Sequence, residues 1–240
     1  MKRREIVKWS AFAVAFLFVL YLTLHRRSSG PVDTKGTEDF YRNALKGFDP
    51  VKHHTQRAYA FEGDRDYARA AEEYKKLLKI RPDDKDLHSH MGETYYKMGM
   101  FDEAIAELEE VMRLDPENWV QREAIGDIYG EKGDSDEALR QYERTLRINP
   151  DNALCNRKLG RLYYEKGEYR AAVRVLNRSL EIDPGFGEAH LGLGLAYCAL
   201  GNREGALAEV KRLEELKMTT MAAQLSEVID KINVSQASPD

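Results

Sequence analysis

The sequence predicts an all-α fold, a solenoid of stacked antiparallel helix pairs, and two observations predict it. Pro82, Pro116, Pro150 and Pro184 recur at intervals of thirty-four residues. Aligning the chain on them brings four further columns into register: Gly92, Gly126, Gly160 and Gly194; Tyr95, Tyr129, Tyr163 and Tyr197; Gly99, Gly133, Gly167 and Gly201; and Ala104, Ala138, Ala172 and Ala206. A period of this length means an array in which each unit buries its apolar face against its neighbours.

Composition narrows the function classes. The net charge of −4 over 240 residues conceals an asymmetry. Residues 1–36 carry seven Lys/Arg against two acids, and the remainder carries thirty against thirty-nine. An acidic body argues against a nucleic-acid binder, which needs a basic face for phosphates. Two cysteines, Cys155 and Cys198, make no disulfide framework.

At the N-terminus, residues 10–24 contain no charge, and the nineteen residues from Ile6 to Leu24 are interrupted only by Lys8. As a helix they would span roughly 28 Å, close to the hydrocarbon thickness of a bilayer. Trp9 and Tyr21 lie near the two interfaces. The competing reading, a cleaved signal peptide with a basic n-region, lacks a small-x-small cleavage site; the run ends in Leu-Thr-Leu-His-Arg-Arg. The expectation is a basic flank and transmembrane helix over 1–27, with the span at about 6–24. Lys2, Arg3, Arg4 and Lys8 precede the uncharged stretch at 10–24, and Arg26 and Arg27 follow it. That bias favours a cytoplasmic N-terminus and a body on the translocated, periplasmic or lumenal, side.

Residues 28–36, polar and containing Gly and Pro, form a linker. Thr37 can cap a helix over 37–50, whose Phe40, Tyr41, Ala44, Leu45 and Phe48 share one face and cover the start of the array. The array occupies 51–220 in units 51–84, 85–118, 119–152, 153–186 and 187–220. In the second unit, residues 85–98 form a first helix (A), Gly99 closes it, and 101–114 form a second (B) before Pro116. The Gly99 column supplies left-handed residues at helix ends. The Gly92 column lies mid-helix, at a cost of up to about 1 kcal/mol each; close crossing of A and B, with the alanine column as the matching small surface, is the packing reason. The tyrosine column fills the wedge between units. A capping helix over 221–233, with Leu225, Val228, Ile229 and Ile232 on one face, and a loose tail at 234–240 complete the chain.

These residues resemble the tetratricopeptide repeat (TPR) family. Its pattern of apolar-Gly-x-x-Tyr, Gly, Ala-x-x-x-apolar and Pro appears as Met91-Gly92 to Tyr95, Gly99, Ala104, Leu108 and Pro116, and twice more through Tyr142 with Pro150 and Leu176 with Pro184. The first unit is degenerate, with Ala58 for the glycine and Phe61 for the tyrosine. The resemblance implies a right-handed α-solenoid of about five units whose A helices line a concave, partner-binding groove. Carried over residue by residue, the groove sites include Tyr59, Asp86, Glu93, Tyr96, Glu123, Asp127, Arg157, Arg161, Tyr164, Leu191 and Leu195. That groove is acidic in the middle, basic in the fourth unit and apolar in the fifth. Relatives that dock chaperone tails use a Lys/Asn/Arg carboxylate clamp. No register here supplies it; the places hold sets such as Ser89, Glu93, Ala124, Leu154 and Lys158.

Catalytic groupings are not evident. His54, His88 and His190 occupy the first core-facing site of an A helix, where a packed imidazole is expected rather than a metal ligand. No catalytic triad, phosphate loop or CxxC motif occurs. The functional expectation is a membrane-tethered, non-enzymatic scaffold or adaptor, without cofactor, metal or small-molecule substrate, that binds a protein or peptide partner during assembly of an envelope or membrane complex. The alternative is a cytosol-facing import or docking receptor on an organelle membrane.

Overall fold

Helix pairs of thirteen or fourteen residues per helix follow one another from Pro50 onward. The computed structural model describes residues 49–237; the expected span at 6–24, the linker and nearly all of the expected helix at 37–50 lie outside them. Among the described residues there are eleven helices and no strand. The A-type helices are α1 (Pro50–Gly63), α3 (Lys85–Lys97), α5 (Trp119–Glu131), α7 (Ala153–Glu165) and α9 (Gly187–Ala199). Their B-type partners are α2 (Tyr67–Ile80), α4 (Phe101–Leu114), α6 (Ser135–Ile148), α8 (Tyr169–Ile182) and α10 (Arg203–Glu215). The final helix, α11 (Thr219–Ala237), packs against both α9 and α10. None of the described helices is long and apolar enough to cross a membrane.

Local chemistry sets the helix ends. Asp66, Asp84, Asn118, Asp134, Asn152 and Asn202 each accept a hydrogen bond from a first-turn backbone N–H, as N-caps do. Each A helix closes in a left-handed residue: Gly99, Gly133, Gly167 and Gly201 have φ between 72 and 81°. The residue after each donates to the carbonyl of the column tyrosine, for instance Met100 N to Tyr95 O at 2.9 Å and Glu168 N to Tyr163 O at 2.8 Å. In the first unit the same place is held by Arg65 at φ 57°, where a Cβ is strained.

The close crossing of A and B has a more specific cause than the alanine column. The alanines are buried, Ala104, Ala138, Ala172 and Ala206 all at 0 % exposure. What presses on the mid-helix glycines, however, is the large residue one turn further along helix B. A Cβ on Gly92 would lie 2.9 Å from Leu108, one on Gly126 2.7 Å from Tyr142, and one on Gly160 2.5 Å from Leu176. At Gly194 the intruding side chain is Leu225, from α11 rather than from α10. The last helix therefore packs on the fifth unit as a further helix would.

The core runs along the stack as clusters joined through the tyrosine column. Tyr129 belongs to two successive clusters, as do Tyr163 and Tyr197. The wedge expected of these residues is thus their position between units. One expectation fails: helix α11 begins at Thr219 and continues to Ala237, so 234–237 are helix rather than tail. Good helix formers and the absence of Gly or Pro from 219–237 allow the extension.

Gly160→Leu should overpack the α7–α8 crossing and cost about 1–3 kcal/mol or more; an unchanged melting temperature would contradict this packing. Arg65→Gly should stabilise the chain by about 1 kcal/mol, because it removes a left-handed non-glycine residue. Chemical denaturation of the two variants beside wild type measures both.

Candidate functional site

Successive A-type helices meet at junctions built from three repeating positions. One is the mid-helix residue of the first A helix: Ala58, Gly92, Gly126 or Gly160. The second is the large residue of helix B beneath it: Tyr74, Leu108, Tyr142 or Leu176, all buried. The third comes from the next A helix and falls, at the same thirty-four-residue interval, on His90, Ala124, Lys158 and Gly192. Because the first position carries little or no side chain, the third decides whether the junction is open.

Two junctions are open. Between α3 and α5, where the third residue is Ala124, a cleft of about 320 Å³ is floored by Gly92 and Leu108 and rimmed by Glu93, Tyr96 and Asp127. Between α7 and α9, where it is Gly192, a cleft of about 210 Å³ lies over Gly160 and Leu176. Arg157, Arg161, Tyr164, Leu191 and Leu195 line that second cleft. Eight of the eleven expected groove residues are therefore brought to these two places.

Their electrostatics differ. Glu93 pairs with Lys97 one turn along its own helix at 2.8 Å, and both are exposed. Tyr96 donates to Glu131; that hydrogen bond, followed by burial, pushes its hydroxyl up to about 12. In the second cleft, Arg157 lies 3.4 Å from Glu188 and over the Phe186 ring. Arg161 is 58 % exposed and only 3.8 Å from Glu165. Exposed pairs of this kind contribute little and exchange readily.

The other two junctions are filled. Between α1 and α3, the His90 ring stacks on Tyr74 with centroids 5.8 Å apart and planes 2° from parallel. Tyr59 covers it edge-on, its hydroxyl 3.4 Å from His90 Nε2. Between α5 and α7, Lys158 reaches back over the Tyr142 ring. Its ammonium donates to Glu123 and to Asp127, each at 2.7 Å. Glu123 also accepts from Asn152 at 2.6 Å, and Asp127 from the Tyr142 hydroxyl at 2.6 Å. Burial opposes the Lys158 charge, but its hydrogen bonds to Asp127 and Glu123 outweigh it and raise its pKa. Burial and the Asp127 hydrogen bond likewise push the Tyr142 hydroxyl up. The acids of the middle units are thus counter-charged from within: Glu123 is buried, and Asp127 shares the same lysine. Asp86 stands apart, in a surface depression formed by Arg81 to Asp86 at the α2–α3 turn.

Residues 63–122 match a family model described as tetratricopeptide repeat, and 126–167 and 160–201 match one described as TPR repeat. Together these cover more than half of the chain. The chain belongs to the tetratricopeptide repeat family. No curated protein matches the sequence. Among solved structures, the crystal structure of MamA protein is 25% identical, with a TM-score of 0.64 over 70% of this chain and 92% of that one. YrrB, described as a TPR protein with an unusual peptide-binding site, is 20% identical, with a TM-score of 0.63 over 78% of this chain and 97% of its own. A tetratricopeptide repeat protein from Parabacteroides merdae, also 20% identical, gives 0.67 over 78% and 77%. At 20% identity the likeness shows the fold alone.

In this TPR protein the residues that decide groove shape, His90, Ala124, Lys158 and Gly192, were not among those expected to face a partner. Their signal was present as a column of the repeat, but a column of four unlike residues reads as variable surface. Only its place above the Leu108, Tyr142 and Leu176 column gives it meaning. Cys155 and Cys198 are both free, and burial raises both thiols.

The histidines belong to the framework. His88, Arg122, Asn156 and His190 each donate to the carbonyl of the proline six residues earlier, at 2.8, 3.3, 3.3 and 3.0 Å. Where that residue is histidine, its Nδ1 also meets a glutamate of the paired B helix: His54 with Glu73 at 2.6 Å, His88 with Glu107 at 2.7 Å and His190 with Glu209 at 2.6 Å. Among the described residues no group of three or more His, Cys, Asp or Glu is placed to hold a metal. Both ring nitrogens of His88 face acceptors, and a neutral imidazole has one N–H to give. Burial opposes the charge, yet the Glu107 and Pro82 hydrogen bonds outweigh it and raise the His88 pKa.

A raised histidine pKa contributes stability that is fully present below the unfolded value of about 6.5 and is lost as pH rises through the native value. His88→Asn keeps a donor for the Pro82 carbonyl but no charge. The gap in melting temperature between wild type and this variant should be widest near about pH 6 and shrink toward about pH 8. A gap that is constant with pH would mean His88 is neutral throughout.

Proposed function

We propose that this TPR protein is a membrane-tethered adaptor that holds a segment of a partner protein in its groove during assembly of an envelope or membrane complex. The observation that carries the binding part is the pair of open clefts between α3 and α5 and between α7 and α9. The same fold supports a peptide-binding site in YrrB, as its description states. Eight of the expected contact residues, Glu93, Tyr96, Asp127, Arg157, Arg161, Tyr164, Leu191 and Leu195, would meet the partner; Tyr59 and Asp86 would act from the flanks, and Glu123, buried against Lys158, would hold the junction between the two clefts.

The tether rests on the apolar run at 6–24 with its basic flank. Lys2, Arg3, Arg4 and Lys8 before the uncharged stretch at 10–24, against Arg26 and Arg27 after it, support a translocated body. Arg26 and Arg27 resist translocation and favour the second reading, a docking receptor whose body faces the cytosol. Protease digestion of intact membranes separates the two: a protected TPR body supports the first, and digestion supports the second.

Affinity capture from native membranes should recover a partner with wild type and lose it with Arg157→Glu/Arg161→Glu, provided the variant melts as wild type does. An unchanged set of captured proteins would remove the groove from the reading.

A further inference from the structure

We infer that the groove is a two-socket site for an extended segment of a partner protein that carries two large apolar side chains about six residues apart. The inference rests on the binding role proposed above and specifies its ligand. Its basis is the alternation of the four junctions along the stack: filled by His90, open at Ala124, filled by Lys158, open at Gly192.

The floors of the two sockets are alike and apolar. Each is lined at its base by a buried leucine of helix B, Leu108 or Leu176, and by the mid-helix glycine packed against it. An aromatic or branched aliphatic side chain that enters removes its own apolar surface from water against that leucine. The intervening junction gives no such entry, because Lys158 lies over Tyr142 and is held there by two carboxylates. A ligand must therefore bridge it. With packed helices roughly 8–10 Å apart, two steps along the A helices come to roughly 20 Å. An extended chain advances roughly 3.3 Å per residue, which makes the spacing about six residues.

Rim charge orients the segment. The first socket presents the exposed carboxylate of Glu93, and the second the exposed guanidinium of Arg161. Among the described residues each is paired only with a neighbour one turn away, at 2.8 Å for Glu93 and 3.8 Å for Arg161. A cation beside the first anchor and a carboxylate beside the second would complement both. A helix is a poorer occupant: at 1.5 Å per residue its anchors would need to stand about thirteen residues apart.

The test uses the full-length chain and fluorescent peptides of about twelve residues with two phenylalanines spaced by about three, six or nine positions. Each peptide carries a lysine beside one phenylalanine and an aspartate beside the other, and is made in both sequence directions. Fluorescence anisotropy should show the tightest binding at the middle spacing. Gly192→Leu or Ala124→Leu, each of which fills one socket, should weaken that peptide about tenfold or more. Affinity that ignores spacing, or that survives both leucine variants, would overturn the two-socket site. If a partner captured from membranes is lost with Arg157→Glu/Arg161→Glu but kept by both leucine variants, the adaptor reading stands and the sockets fall. If sedimentation shows wild type self-associating and the leucine variants do not, the occupant is a second copy, and the partner-segment inference is wrong.

Discussion

The contact on which the rest of the structure depends is the one between a mid-helix glycine and the large side chain of the paired helix: Gly92 with Leu108, Gly126 with Tyr142, Gly160 with Leu176. A helix tolerates an internal glycine at a cost of up to about 1 kcal/mol. Here that cost is offset by burying a leucine or tyrosine directly against backbone. The same contact seats those side chains at the base of each junction between units. Framework and groove are therefore built from one set of atoms, and the groove floor is the upper surface of the core.

From that shared floor the junctions diverge through a single position on the next helix. Histidine and lysine fill it, while alanine and glycine leave it open. The lysine does more than fill space. With Glu123 and Asp127 each hydrogen-bonded to it, and Asn152 and Tyr142 completing their shells, the central acids form a closed network. A partly buried carboxylate left without a partner is costly, and pairing across α5 and α7 ties two units together. The histidine, arginine and asparagine that bind the proline carbonyls serve the same end at the turns between units: each satisfies a backbone acceptor that the helix ladder cannot reach.

Legibility followed the range of the forces involved. Left-handed glycines and the helix-ending prolines act within a few residues, so their spacing in the sequence announced the helices nearly residue by residue. The end of α11 was read too early, because no cap or breaker marks it and a helix without one continues as far as propensity allows. At the groove, the basic residues of the fourth unit and the apolar residues of the fifth, expected along one groove, line one cleft. The acids of the third were read as free groove charge. Lys158 sits thirty-five residues from Glu123 and on another helix, and the reach of a long flexible side chain does not show in a linear register. Asp86 was displaced for a related reason: it lies in the first turn of α3, beside the α2–α3 loop rather than over a junction.

By itself the sequence determined the repeat, the pairing of helices and the turns, because each depends on local backbone preference and on a periodic pattern of small and large residues. The tertiary structure alone decided which junctions are open and which charges are already matched. Both outcomes depend on the side chains that three different helices bring to one point, and that convergence exists only once the helices are stacked.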